Sequence, residues 1–130
     1  MEDVKKSLDL CKKFKNGYTT VGIHPCHATE ILKDEKKYYQ EMEKFLDNND
    51  GSIVAIGECG LDYDRFHYSD KQTQLKAFPI HFDWAEKYKL PMYLHSRNCS
   101  EDFVNFVSKN RDRFSSGVVH SYTGDKKELQ

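Results

Sequence analysis

The chain has 130 residues, with 20 Lys and Arg against 21 Asp and Glu and a formal net charge of −1. That length suits one ordinary domain and is short for a large enzyme architecture, and the balanced charge argues against a global basic field, so any contact with nucleic acid or anionic membrane has to be local. Cys11, Cys26, Cys59 and Cys99 are scattered with no C-x-x-C pair, which suggests neither a zinc knuckle nor a secreted disulfide framework and fits a reducing, intracellular setting. The N-terminal stretch "MEDVKKSLDLCKKFKNG" alternates charged and apolar residues, unlike a secretory signal or a membrane span, and the chain reads as soluble.

In chain order, Val4, Leu8, Leu10, Cys11 and Phe14 recur at roughly helical spacing, with Gly17 beyond as a stop. "YTTVGI" is β-branched and is closed by His24 and Pro25, a strand. Residues 34 to 47 return to helical spacing through Tyr38, Met42, Phe45 and Leu46 before "DNNDG" breaks the pattern. "SIVAIG" is a second strand, and residues 70 to 89 a long helix that Pro79 should kink or divide. "LPMYL" is a third strand, residues 100 to 112 a helix, "SGVVHSY" a fourth strand, and "GDKKELQ" the start of a further helix. Alternation of this kind implies right-handed βαβ crossovers and a parallel sheet, with residues 1–130 forming one domain.

Each predicted strand ends on a side chain able to bind metal or move a proton: His24, Glu58, His95 and His120. Functional groups of parallel α/β folds gather at the C-terminal edge of the sheet, and in an eight-stranded barrel these four would converge on one mouth. Their spacings, from 24 to 58, 58 to 95 and 95 to 120, are 34, 37 and 25 residues, close to one βα unit each. Glu58 next to a buried apolar run is costly unless a cation or hydrogen bonds compensate it. With His95 and His120 it offers an oxygen and two nitrogens to a divalent cation. His24 is a site residue or part of a turn with Pro25, Cys26 and His27. Arg97, two residues after His95, offers its donor fork to a phosphate or to a surface salt bridge. Asp62 holds the loop or an outer partner of a metal-binding His, while His67 and His81 read as structural. The lysine-rich stretches are interleaved with acids and read as solvated helix faces.

"VGIHP", "VAIGECGLDYD", "LPMYLHSRN" and "GVVHSYTG", in that order, resemble the TatD family of metal-dependent deoxyribonucleases within the amidohydrolase-like barrels, and "TQLKAF" and "NRDR" bring the chain nearest to its eukaryotic branch. The resemblance implies an α/β fold, a partial (β/α)₈ barrel of about four parallel strands with outer helices. It implies Glu58, His95 and His120 as ligands of a divalent cation, magnesium first and manganese or zinc otherwise. It also implies Glu58 and His24 as catalytic groups, Arg97 on the substrate phosphate, and DNA as the substrate, hydrolysed by a metal-activated water in the nucleus or cytoplasm.

Complete barrels of this kind run to about 250 residues. The family's first-strand motif and its late acidic strand have no counterpart here, so the chain reads as a fragment, a shortened isoform or an incomplete gene product. The alternatives are another amidohydrolase-like metallohydrolase, which usually needs an H-x-H pair on the first strand, and an inactive truncated product.

Overall fold

The computed structural model describes residues 2–120 and 122–130. Helix α1, Glu2–Lys13, has Glu2 and Asp3 in its first turn and Lys12 and Lys13 in its last, charges that complement the helix dipole. Val4 and Leu8 rest against the core, whereas Leu10 and Phe14 are exposed. The chain turns back at Gly17, whose N–H bonds the Phe14 carbonyl, into the short strand β1, Thr19–Val21. A 3₁₀ helix follows over Pro25–Lys33, started by Pro25, with its fixed φ, and by the His24 side chain.

Asp34 then caps α2, Glu35–Asp47, and "DNNDG" leads into β2, Ile53–Asp62. Pro79 divides the predicted long helix: α3 covers Lys71–Ala77 and α4 covers Pro79–Tyr88. Strand β3, Met92–Arg97, and helix α5, Ser100–Asn110, come next. Strand β4, Gly117–His120, and the short α6, Lys126–Leu129, complete the order.

The four strands form one parallel sheet in the order β1-β2-β3-β4. Burial alternates strictly along β3: Met92, Leu94 and Ser96 are buried, and Tyr93, His95 and Arg97 are partly open. The first set faces the core, where Met42 and Leu46 of α2, Phe82, Trp84 and Ala85 of α4, and Phe103 of α5 cover the sheet. The second set faces the side that becomes the interior when such a sheet closes. Among the described residues β1 and β4 are edges, and no helix is long and apolar enough to cross a membrane.

Two strands run further than their sequence signals. The apolar run of β2 ends near Gly57 but the strand continues to Asp62, and β3 continues through His95 to Arg97. Glu58 and His95 therefore lie inside strands, while His24 lies beyond β1 as the cap of the 3₁₀ helix. The extension is possible because residues 59 to 62 pair with residues 94 to 97, a backbone reward that outweighs the turn preference of Gly60.

Candidate metal centre at the mouth of the sheet

Glu58 owes its direction to a β-bulge. Ile56 pairs with Met92 and Gly57 with Tyr93, but Leu94 pairs with Cys59, so one residue of β2 has no partner of its own. With regular pairing, Glu58 would stand opposite Leu94 and share its buried, helix-facing side. The extra residue shifts the alternation by one. Cys59 and Leu61 take the helix side, both fully buried, and Glu58 turns to the side of His95.

Gly57 and Gly60 let the two strands meet there. Both have φ near +150°, at +150 and +146, and a Cβ on either would overlap the carbonyl oxygen of Tyr93 or His95, respectively.

His95 stands between two carboxylates, with Nδ1 2.9 Å from Glu58 Oε1 and Nε2 2.8 Å from Asp62 Oδ2. Asp62 is buried at 2 % exposure. Its backbone is gripped by the fully buried Gln74, which accepts from the Asp62 N–H at 2.8 Å and donates to the Asp62 carbonyl at 2.9 Å. The other Asp62 oxygen accepts the Asp64 N–H at 3.1 Å, so Asp62 serves both the loop and the histidine.

His24 Nδ1 accepts the Cys26 N–H at 3.1 Å, and its Nε2 lies 3.9 Å from Glu58 Oε1. Burial, and next the neighbouring His95, lower the His24 pKa. The neutral ring with Nδ1 accepting carries its proton on Nε2 and points a donor toward Glu58. Behind it, the buried His81 accepts the Ile23 N–H through Nε2 at 2.9 Å and bonds the Ala77 carbonyl through Nδ1 at 3.0 Å, which ties α4 to the chain one residue before His24.

Ligand atoms of His24, Glu58 and His95 all lie within 4.8 Å of one another. The cluster sets two carboxylates, Glu58 and Asp62, against the one imidazole of His95, a concentration of acceptor oxygens that suits a divalent ion. An oxygen with imidazole nitrogens matches borderline metals and, with water, magnesium or manganese.

His120 does not join this group. It pairs in register with His95 on β4, is exposed, and sets its ring 5.4 Å from that of Tyr93. Arg97 forms a salt bridge, Nε to Asp64 Oδ2 at 2.9 Å, and Asp64 also receives Asn98 Nδ2 at 2.6 Å. A cleft of about 330 Å³ beside the cluster is lined by Gly22, His24, His27, Glu30, Tyr38 and Glu58. A larger one of about 520 Å³ lies between α1 and α2 and contains none of the cluster.

Sequence reasoning assigned no site role to His81 or Gln74. The available signal was chemical: a His and a Gln on the apolar side of the 70–89 helix must be bonded to be buried.

An α/β sheet carrying a carboxylate and imidazoles at its carboxyl edge places them where barrels of parallel strands gather their functional groups. The family pattern described as TatD related DNase matches residues 1–130, and the chain belongs to that family. It is 35% identical over 136 residues to the Deoxyribonuclease Tat-D of Schizosaccharomyces pombe, covering 100% of this chain and 44% of that protein. It is 32% identical over 113 residues to the 3'-5' ssDNA/RNA exonuclease TatD of Erwinia tasmaniensis, covering 87% of this chain and 41% of that protein. A crystal structure of a hydrolase TatD family protein from Entamoeba histolytica superposes with a TM-score of 0.86 at 34% identity, covering 99% of this chain and 44% of that one. The chain thus spans less than half the length of these relatives.

Proposed function

We propose that this chain supplies the metal-binding half of a divalent-metal-dependent nuclease that hydrolyses DNA phosphodiester bonds inside the cell, in the nucleus or cytoplasm. The observation that carries the proposal is the bulge that turns Glu58 onto His95 beside a second imidazole. Nothing about core packing requires a carboxylate there.

Glu58 and His95 are the ligands in this reading, with His120 as a third from the neighbouring strand. Register places His95 and His120 on one face of adjacent strands, and reaching the ion requires the His120 ring to swing away from Tyr93. When bound, a divalent ion, magnesium by preference and manganese or zinc otherwise, supplies Lewis acidity and an activated water. Asp62 holds His95 in one orientation. His24 spends Nδ1 on the Cys26 N–H and keeps Nε2–H as a donor to a phosphate oxygen or a leaving group. Arg97 lies at the rim on the same face as His95; to clamp a phosphate with its planar fork it has to release Asp64.

The test is cleavage of linear single-stranded DNA by the full-length protein with magnesium, manganese or zinc, beside its Glu58→Ala variant. Cleavage that falls by at least about 100-fold in the variant, about 2.7 kcal/mol of transition-state stabilisation, is expected. An inert wild type with all three ions, or an active Glu58→Ala, overturns the proposal.

A further inference from the structure

The loop between β2 and α3 carries aromatic side chains that no part of the core covers. Phe66 is 43% exposed and Tyr68 55%. A floppy surface loop would give such exposure no meaning, but this one is fastened along its length. Gln74 Nε2 donates to the carbonyls at both its ends, Asp62 at 2.9 Å and Ser69 at 2.9 Å. Ser69 Oγ donates to the Cys26 carbonyl at 3.2 Å, and Thr29 Oγ1 donates to the Tyr68 carbonyl at 3.0 Å. The loop is therefore tied to the 3₁₀ helix that His24 caps, and it begins at the residue that orients His95.

The rings are held in pairs. Phe66 leans on Tyr63 at 5.2 Å between centroids, and Tyr63 is in turn backed by Lys71 Nζ at 5.1 Å and anchored to Asp102 through its hydroxyl. His67 and Tyr68 lie 4.2 Å apart between ring centroids, tilted by 41°. Each pair braces its outer ring from one side and leaves it half open to solvent. Of the nearby cations, Arg97 is matched by Asp64 and Lys71 by Asp102, and among the described residues Arg65 alone in the loop has no carboxylate partner, so the loop offers flat apolar faces beside one free guanidinium. A flat ring with its ordering cost already met suits stacking of another flat ring. Bases of a duplex bury their faces against one another, so only an unpaired base can use it.

We infer that Phe66 and Tyr68 form a stacking platform for unpaired nucleobases beside the metal centre. The inference rests on the nuclease reading for its ligand, and it assigns to these two rings a preference for single strands. Discrimination comes from base faces rather than base edges, so it is indifferent to sequence and to the sugar.

The test compares a fluorescent oligothymidylate with an abasic deoxyribose-phosphate oligomer of equal length and charge, by anisotropy and by cleavage rate with magnesium, in the full-length protein. Wild type is expected to bind the thymidylate about tenfold or more tighter than the abasic strand, since each stacked base is worth roughly five- to 150-fold. Phe66→Ser/Tyr68→Ser should bring the two probes within about twofold by losing thymidylate affinity alone. Phe66→Tyr/Tyr68→Phe, which keeps the rings, should retain the preference. Equal wild-type binding of both probes, or a preference that survives the double serine variant, overturns the inference. A wild type that binds thymidylate selectively but cleaves nothing sinks the nuclease reading and leaves the platform standing.

Discussion

His81 offers a measurable coupling between burial, pH and the placement of His24. Its ring is fully enclosed and neutral: burial pushes its pKa from 6.5 down to about 4, against a smaller upward pull from the Phe78 and Ala77 carbonyls. Because the folded pKa lies below the unfolded one, the unfolded chain takes up the proton first. The stabilisation is therefore complete above about 6.5 and is lost as pH falls through about 4. At about 1.4 kcal/mol per pH unit, that window is worth roughly 3 kcal/mol, most of it gone by about pH 4.5. His81→Gln keeps an acceptor for the Ile23 N–H and a donor for the helix carbonyls but cannot titrate. Urea unfolding at about pH 7.5 and pH 4.5 should show wild type losing about 2 to 3 kcal/mol more than the glutamine variant between the two conditions. His81→Leu leaves the Ile23 N–H unpaired and should cost about 1 to 3 kcal/mol already at neutral pH. Parallel acid losses in wild type and His81→Gln would refute the argument.

Other perturbations address the site directly. Gly60→Ala, with φ at +146 and the His95 carbonyl in the way, should destabilise by more than about 3 kcal/mol in urea. Gly51→Ala, at φ +100 with open space around it, should cost only about 1 kcal/mol. By titration calorimetry with manganese, Glu58→Ala and His95→Ala should each weaken binding by at least about 100-fold, since loss of even an outer-shell partner can cost about 10- to 100-fold. His24→Ala should stay within about threefold for the metal while lowering kcat by about 100-fold; a matching loss of metal affinity would make His24 a ligand. Arg97→Lys should raise KM for DNA by about tenfold with little change in kcat, and an unchanged KM would assign Arg97 to the Asp64 pair alone.

Much of the fold was legible because the signals were local. β-branched runs between helical periodicities predicted four strands in the right order, and the missing N–H of Pro79 predicted the break between α3 and α4. What escaped the sequence depended on partners distant along the chain. β2 and β3 outrun their apolar cores because residues 59 to 62 pair with 94 to 97. The 3₁₀ helix over residues 25 to 33 has no period of its own and is held by Ser69 and Tyr68, about 40 residues away. Asp62 could be anticipated as a holder of the loop or an outer partner of a histidine, because carboxylates commonly back metal-binding histidines. His81 could not be placed, since its partner is a backbone N–H 58 residues distant.

The bulge explains why a carboxylate follows a buried run at all. Along "IVAIGECGLD" the helix-facing positions are Ile56, Cys59 and Leu61, a pattern with an odd step that no regular strand can satisfy. A uniform alternation would put either Glu58 or Cys59 and Leu61 on the wrong side, and burying Glu58 in the helical layer with no cation would cost several kcal/mol. The two glycines make the odd step affordable by letting β2 press against the Tyr93 and His95 carbonyls. The same apolar pattern that stabilises the core thus forces Glu58 out of it, onto the one face where His95 and His24 stand. Site and core are set by one register shift: a β2 that kept the regular ladder past Gly57 would put Glu58 opposite Leu94, on the buried, helix-facing side.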